Sequence, residues 1–132
     1  MKLRMQDDSL RFRLTQSEVA KLAAGETVKA AVHFSRGQAD SLTYVVQVAP
    51  QCKVVEAFFT QREIRVTLPE MLVRTWAATD QVSIENLQPI GNNSFLRILV
   101  EKDFRCLHSG EGISENDSDQ DAFPNPAEIV SR

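Results

Sequence analysis

The chain has 132 residues, of which 42% are hydrophobic and 25% charged, the balance of one ordinary globular domain. No apolar run approaches the roughly 20 residues that a membrane helix needs, and Met1–Asp8 is charged where a secretion signal would be apolar. A membrane partner is therefore excluded at this level, and the reading is of a cytoplasmic protein.

The two cysteines, Cys52 and Cys106, are too few for a disulfide framework and read as free thiols. The net charge of −3 is unevenly spread. Residues 1–54 carry eight Lys/Arg against five Asp/Glu, residues 55–105 six against seven, and residues 106–132 one against six. A mildly positive body thus carries an acidic tail, and the expected organisation is one domain over 1–105 followed by a tail over 106–132.

In chain order, Lys2–Met5 reads as a short strand and Asp7-Asp8 as a turn. Ser9–Leu14 alternates, with Leu10, Phe12 and Leu14 on one side. Thr15-Gln-Ser-Glu18 has the form of a capping box. It opens a helix to Ala24 whose inner face is Val19, Leu22 and Ala23, and Gly25 stops it. Val28–Phe34 and Leu42–Val48 are strands around the polar loop Ser35–Ser41. Val54–Phe59 and Ile64–Leu68 follow, with Gln61-Arg62 at their turn. Pro69 suits the start of a helix to about Ala78 that buries Leu72, Val73, Trp76 and Ala77. Gln81–Asn86 and Phe95–Glu101 are the last strands, separated by a loop that includes Ile90–Ser94.

A shift of 54 residues lays the second half on the first. Leu10–Leu14 falls on Ile64–Leu68, and Val19, Ala23, Ala24 and Val28 fall on Val73, Ala77, Ala78 and Val82. Six of the 21 positions in 10–30 are identical without a gap, against roughly one or two from average composition. The repeats span residues 2–49 and 56–103. Each half reads strand–strand–helix–strand–strand and cannot bury its own sheet face. The expected fold is mainly β with two short helices, the two ββαββ units closing on one core as a pseudo-twofold barrel or sandwich.

Arg65-Val-Thr-Leu-Pro69, the short helix and Asp80-Gln-Val-Ser-Ile84 resemble the swapped-hairpin fold of AbrB-type regulators and MazE-type antitoxins. That resemblance implies two such units in one chain with exchanged hairpins, and a nucleic-acid-binding regulator. The sequence departs from the family at Thr15 and Thr79, and Glu70 and Met71 stand where the family has a basic helix start. Over nearly its whole length the chain is also similar to an uncharacterised family of short bacterial proteins. The shared segments are Ser9-Leu-Arg-Phe-Arg-Leu-Thr-Gln-Ser-Glu18, Val100-Glu-Lys-Asp-Phe-Arg-Cys-Leu-His108 and Asp121-Ala-Phe-Pro-Asn-Pro126. This second resemblance implies no activity.

Three constellations carry chemistry. Cys106 and His108, two residues apart, point the same way in an extended segment. With Asp103 and Asp121 they are a weak candidate site for a divalent metal; the plainer reading is a small buried hydrophobe beside a turn-capping histidine. Arg4, Arg11, Arg13, Arg62 and Arg65, with Lys2, are outward cations that could face a nucleic acid or simply solvate a sheet and protect its edge. Phe123, stiffened by Pro124 and Pro126, is a candidate anchor for the tail, docking either on its own domain or on a partner.

Catalytic patterns are absent: there is no nucleophile elbow, phosphate-binding glycine loop or paired histidines. An enzyme would have to use Cys106 and His108 as thiol and base. The leading expectation is a non-catalytic binding or adaptor protein with an unknown protein partner and no cofactor, acting as a monomer or weak homodimer. A nucleic-acid-binding regulator and a metal- or thiol-dependent enzyme are the alternatives.

Overall fold

The computed structural model describes residues 1–104 and 121–124. In chain order the elements are β1 Lys2–Met5, β2 Ser9–Leu14, α1 Gln16–Ala23, β3 Val28–His33, β4 Ser41–Val48, β5 Glu56–Thr60, β6 Glu63–Leu68, α2 Glu70–Ala78, β7 Ser83–Gly91 and β8 Ser94–Lys102. The chain is mainly β with two short helices, and its halves repeat one ββαββ order.

The strands form two sheets of four, in the orders β1-β2-β8-β7 and β3-β4-β6-β5. Each sheet therefore takes one hairpin from each half. The hairpins meet through a parallel pair in the middle, β2 with β8 and β4 with β6. The registers repeat as well: Ser9 faces Arg97 and Leu14 faces Lys102 in one sheet, and Glu63 faces Thr43 and Leu68 faces Val48 in the other. Adding 54 to one member of each pair and subtracting it from the other converts the first set into the second. Among the described residues the two sheets do not close into a barrel. Between the edge strands β5 and β7 the link is made by side chains, Asn86 Nδ2 to the Val55 carbonyl (2.9 Å) and the Gln88 amide to both backbone groups of Ala57 (2.7 and 3.0 Å).

The inner faces share one core. Phe12, Leu14, Ile98 and Val100 from one sheet meet Val46, Val66 and Leu68 from the other, with Leu22 and Trp76 from the helices, all fully buried. Burying the apolar side of a sheet in this way contributes about 25 cal/mol per Å² removed from water. Trp76 keeps its indole N–H satisfied by donating to the Val82 carbonyl at 2.9 Å.

Three expectations need correction. Leu72 and Ala23 do not join the core: Leu72 is 41% exposed and Ala23 is exposed, because each helix runs only two turns against the sheets and presents a narrow stripe, Val19/Leu22 and Val73/Trp76. Val28 corresponds in packing to Ile84 rather than Val82. Val28 pairs with Val46 and Ile84 with the equivalent Val100; Val28 and Ile84 are both buried, whereas Val82 is 42% exposed. The path from the helix start to the buried strand residue is two positions longer in the second half, Glu70 to Ile84 against Gln16 to Val28. Finally, β7 runs on through Pro89 to Gly91. It is an edge strand, where a proline's missing N–H leaves no ladder bond unmade, and the left-handed pair Asn92-Asn93 (φ 51° and 58°) closes the hairpin.

Candidate functional site

Helix α1 begins with the capping box that the Thr15–Glu18 pattern demands. The Thr15 hydroxyl accepts from the Glu18 N–H, and Glu18 Oε1 accepts from the Thr15 N–H at 2.9 Å. The next two amides are satisfied from the far end of the chain. Gln16 N–H donates to the Asp121 carbonyl (2.9 Å), and Ser17 N–H donates to Asp121 Oδ1 (3.2 Å). The Ser17 hydroxyl donates to Asp121 Oδ2, and Gln16 Nε2 donates to the Ala122 carbonyl (2.8 Å). A carboxylate at a helix N-terminus is favoured by the free N–H groups and the helix dipole. The Ser17 hydroxyl bond is the main reason the Asp121 carboxyl titrates below its ordinary range.

Past Asp121 the segment enters a cleft. Ala122 is 1% exposed. Phe123 N–H donates to the Asp103 carbonyl at 2.7 Å, forming a parallel bridge with Phe104. The two phenyl rings tilt together at 58°, with centroids 5.9 Å apart. Lys102 lies on the inward row of β8 after Leu96, Ile98 and Val100, and its ammonium sits 5.4 Å from the Phe123 centroid while donating to the Thr79 carbonyl (2.7 Å). Burial lowers the Lys102 pKa, and the nearby Asp80 charge opposes that shift.

The metal and thiol candidates divide. Cys106 and His108 lie outside the described residues, as does Pro126. Asp103 is buried, with its carboxylate 3.2 Å from Lys2 Nζ, and Asp121 is engaged at α1. Among the described residues no group of three or more His, Cys, Asp and Glu is placed to hold a metal ion. Cys52 is a free thiol. Pro124 is exposed beyond Phe123.

The cation candidates also divide. Lys2, Arg4, Arg11 and Arg13 gather on the outer face of the β1-β2-β8-β7 sheet, and Arg97 joins them. Arg11 and Arg13 both reach Glu101 Oε1, at 2.9 and 2.8 Å, although the Arg11 Nε–H is not aligned for a hydrogen bond. Arg97 pairs with Glu85 at 3.2 Å. That face thus holds five cations against Glu85, Glu101 and Asp103, and Arg4 has no ion pair among the described residues. A shallow pocket of about 130 Å³ opens there between Arg4, Arg11 and Arg97. Arg65 lies on the other sheet, held by Glu63 (2.9 Å) and Gln47 (3.2 Å), and Arg62 sits in the β5–β6 turn with φ 64°.

Three positions of consequence escaped the sequence reading. Lys102 is the inward charge in the row Leu96-Ile98-Val100-Lys102, and its period was the available signal. Gln88 and Asn86 alternate with Leu87 in the manner of a strand, but that their amides clasp β5 follows only from the tertiary arrangement.

A sequence profile of a family of unknown function (DUF7009) matches residues 1–127. The chain belongs to this family. The match runs from β1 through the cleft-filling Asp121–Phe123, so the domain and its docked segment fall within one family unit. No curated protein and no solved structure matches the chain.

Proposed function

We propose that this member of the family is a non-catalytic cytoplasmic binding protein that holds an extended peptide segment of a partner protein. The observation that supports this reading is the treatment of Asp121–Phe123. The fold holds that segment as a ligand, with a helix N-terminus for its carboxylate and carbonyl, a strand end for its backbone, and a ring and an ammonium for its phenyl group. This is the chemistry of strand-addition recognition, in which main-chain bonds supply affinity and a side-chain pocket supplies choice. A random peptide display library panned against the intact protein should enrich sequences with a large apolar residue beside a small one. A selection that yields no consensus rejects the reading.

A second reading rests on the five-cation sheet face. Under it the fold is a single-chain form of the AbrB/MazE hairpin exchange, and the protein is a nucleic-acid-binding regulator. Glu85, Glu101 and Asp103 already offset part of the charge, and the chain as a whole is acidic. Duplex binding at physiological salt is therefore expected to be weaker than micromolar, since phosphate neutralisation sets non-specific affinity. Micromolar, strongly salt-dependent binding that is lost in Arg4→Glu would favour the regulator.

A further inference from the structure

The pseudo-twofold relation makes a second copy of the tail cleft, and among the described residues that copy is open. The open groove, about 360 Å³, lies between the C-terminal turn of α1, the N-terminus of α2 and the end of β4, with Leu22, Val48, Pro50, Glu70, Val73 and Arg74 on its walls. Under the 54-residue shift, Val48, Pro50 and Glu70 are the images of Lys102, Phe104 and Gln16, three residues that grip Ala122 and Phe123. The backbone frame is repeated too: Ala49 N–H donates to the Leu68 carbonyl at 3.0 Å, as Asp103 N–H donates to the Leu14 carbonyl at 2.8 Å. Gln16 and Ser17 give their amides to Asp121, whereas the equivalent amides of Glu70 and Met71 have no acceptor among the described residues.

We propose that this groove is a second peptide site, taking an extended segment of a partner protein that presents a large apolar side chain beside a small residue. The inference rests on the peptide-binding reading above and assigns it a place and a specificity. Occupancy of the image groove by Ala-Phe sets the class of ligand. The substitutions set the difference. Met71 stands where the Ser17 hydroxyl binds the Asp121 carboxylate, and the Glu70 carboxylate stands where the Gln16 amide binds the Ala122 carbonyl, so the open groove does not select an acidic residue. Val48 replaces the Lys102 ammonium, and Arg74, already paired with Glu70 at 2.6 Å, replaces Ala20. The open groove is therefore the more apolar of the two at its floor.

The test uses the intact chain, isotopically labelled, with two acetylated and amidated hexapeptides: Asp-Ala-Phe-Pro-Asn-Pro and its Asn-first analogue. Saturable amide shifts are expected at Ala23–Gly25, Val48 and Met71–Arg74, with the Asn-first peptide binding at least as tightly as the Asp-first one. Ala24→Arg, at an exposed position on the rim, should weaken binding by about tenfold or more without changing thermal stability. Val48→Glu should also weaken binding from the floor, read beside its own thermal stability because Val48 packs against the core. Shifts confined to Gln16, Ser17, Lys102 and Phe104 would mean that the peptide only displaces the chain's own segment; that overturns the second site and leaves the peptide-binding reading standing. No binding either to the intact chain or to the full-length Phe123→Ala variant overturns both. Shielding of the same groove amides in peptide-free protein as concentration rises would make a second copy of the chain the occupant and overturn the proposal.

Discussion

Trp76 is the largest fully buried side chain, and its one polar atom is paired. Trp76→Ala removes that volume from the shared core and one of the two hydrogen bonds that the Val82 carbonyl accepts, the Lys102 N–H bond remaining. Chemical denaturation should show a loss of about 3–5 kcal/mol; Leu72→Ala, on the exposed side of the same helix, should cost far less. Asp121 works by charge instead. Its carboxyl titrates below the ordinary 3.8, held down first by the Ser17 hydroxyl and further by backbone and Thr15 hydrogen bonds, against a smaller opposing effect of burial. A carboxylate whose pKa is lower when docked favours docking above its undocked pKa, and the benefit is lost as pH falls through the lowered value. Docking of Phe123 should therefore be tightest from neutrality to about pH 4 and weaken below it. The amide signals of Asp121–Phe123 in NMR spectra across that range, with Ser17→Ala releasing at higher pH than wild type, check the sign.

At the scale of elements, β5 is an edge strand whose free backbone groups invite pairing with another chain. Gln88 meets both groups of Ala57, and Asn86 meets the Val55 carbonyl. Side-chain amides thus stand in for a neighbouring strand. The residues at the equivalent register on β3 are Ala30 and Val32, which carry no such groups, so the clasp belongs to one half only. Gln88→Leu keeps the bulk and strands two backbone groups. It should cost about 1–3 kcal/mol in denaturation and speed hydrogen exchange at Ala57, while exchange in the central strands β4 and β6 follows global stability.

For the whole molecule, the governing fact is that each sheet takes one hairpin from each half. Arg13 and Glu101, bonded side by side, are 88 residues apart in sequence, and neither half contains a complete sheet. A fragment ending after β4, or one starting at β5, has no parallel partner for its central strand and leaves its apolar face in water. Each fragment alone should be unfolded or a self-paired dimer, and mixing the two should restore the native far-UV circular dichroism. A folded monomer of either fragment in sedimentation would contradict this arrangement. Contacts so distant in sequence also imply folding in the millisecond-to-second range.

Periodicity and local chemistry determined a great deal here. The alternation of Leu10, Phe12 and Leu14, the capping box at Thr15–Glu18 and the helix stop at Gly25 each depend on neighbours within about four residues. They located the elements, and the repeat at 54 residues followed from their order. What they could not reach was anything decided by strands far apart in the chain. The sequence allowed a barrel or a sandwich, and the side-chain clasp of Asn86 and Gln88 in place of a ladder left two open sheets. It gathered five arginines as one set, and the fold put Arg4, Arg11 and Arg13 on one sheet and Arg65 on the other. It ended the last strand at Glu101, whereas β8 runs on to Lys102 and its register turned that ammonium inward onto Phe123. A local pattern depends on nearest neighbours along the chain; a site depends on which surfaces the pairing of distant strands brings together, and only the tertiary structure decides that.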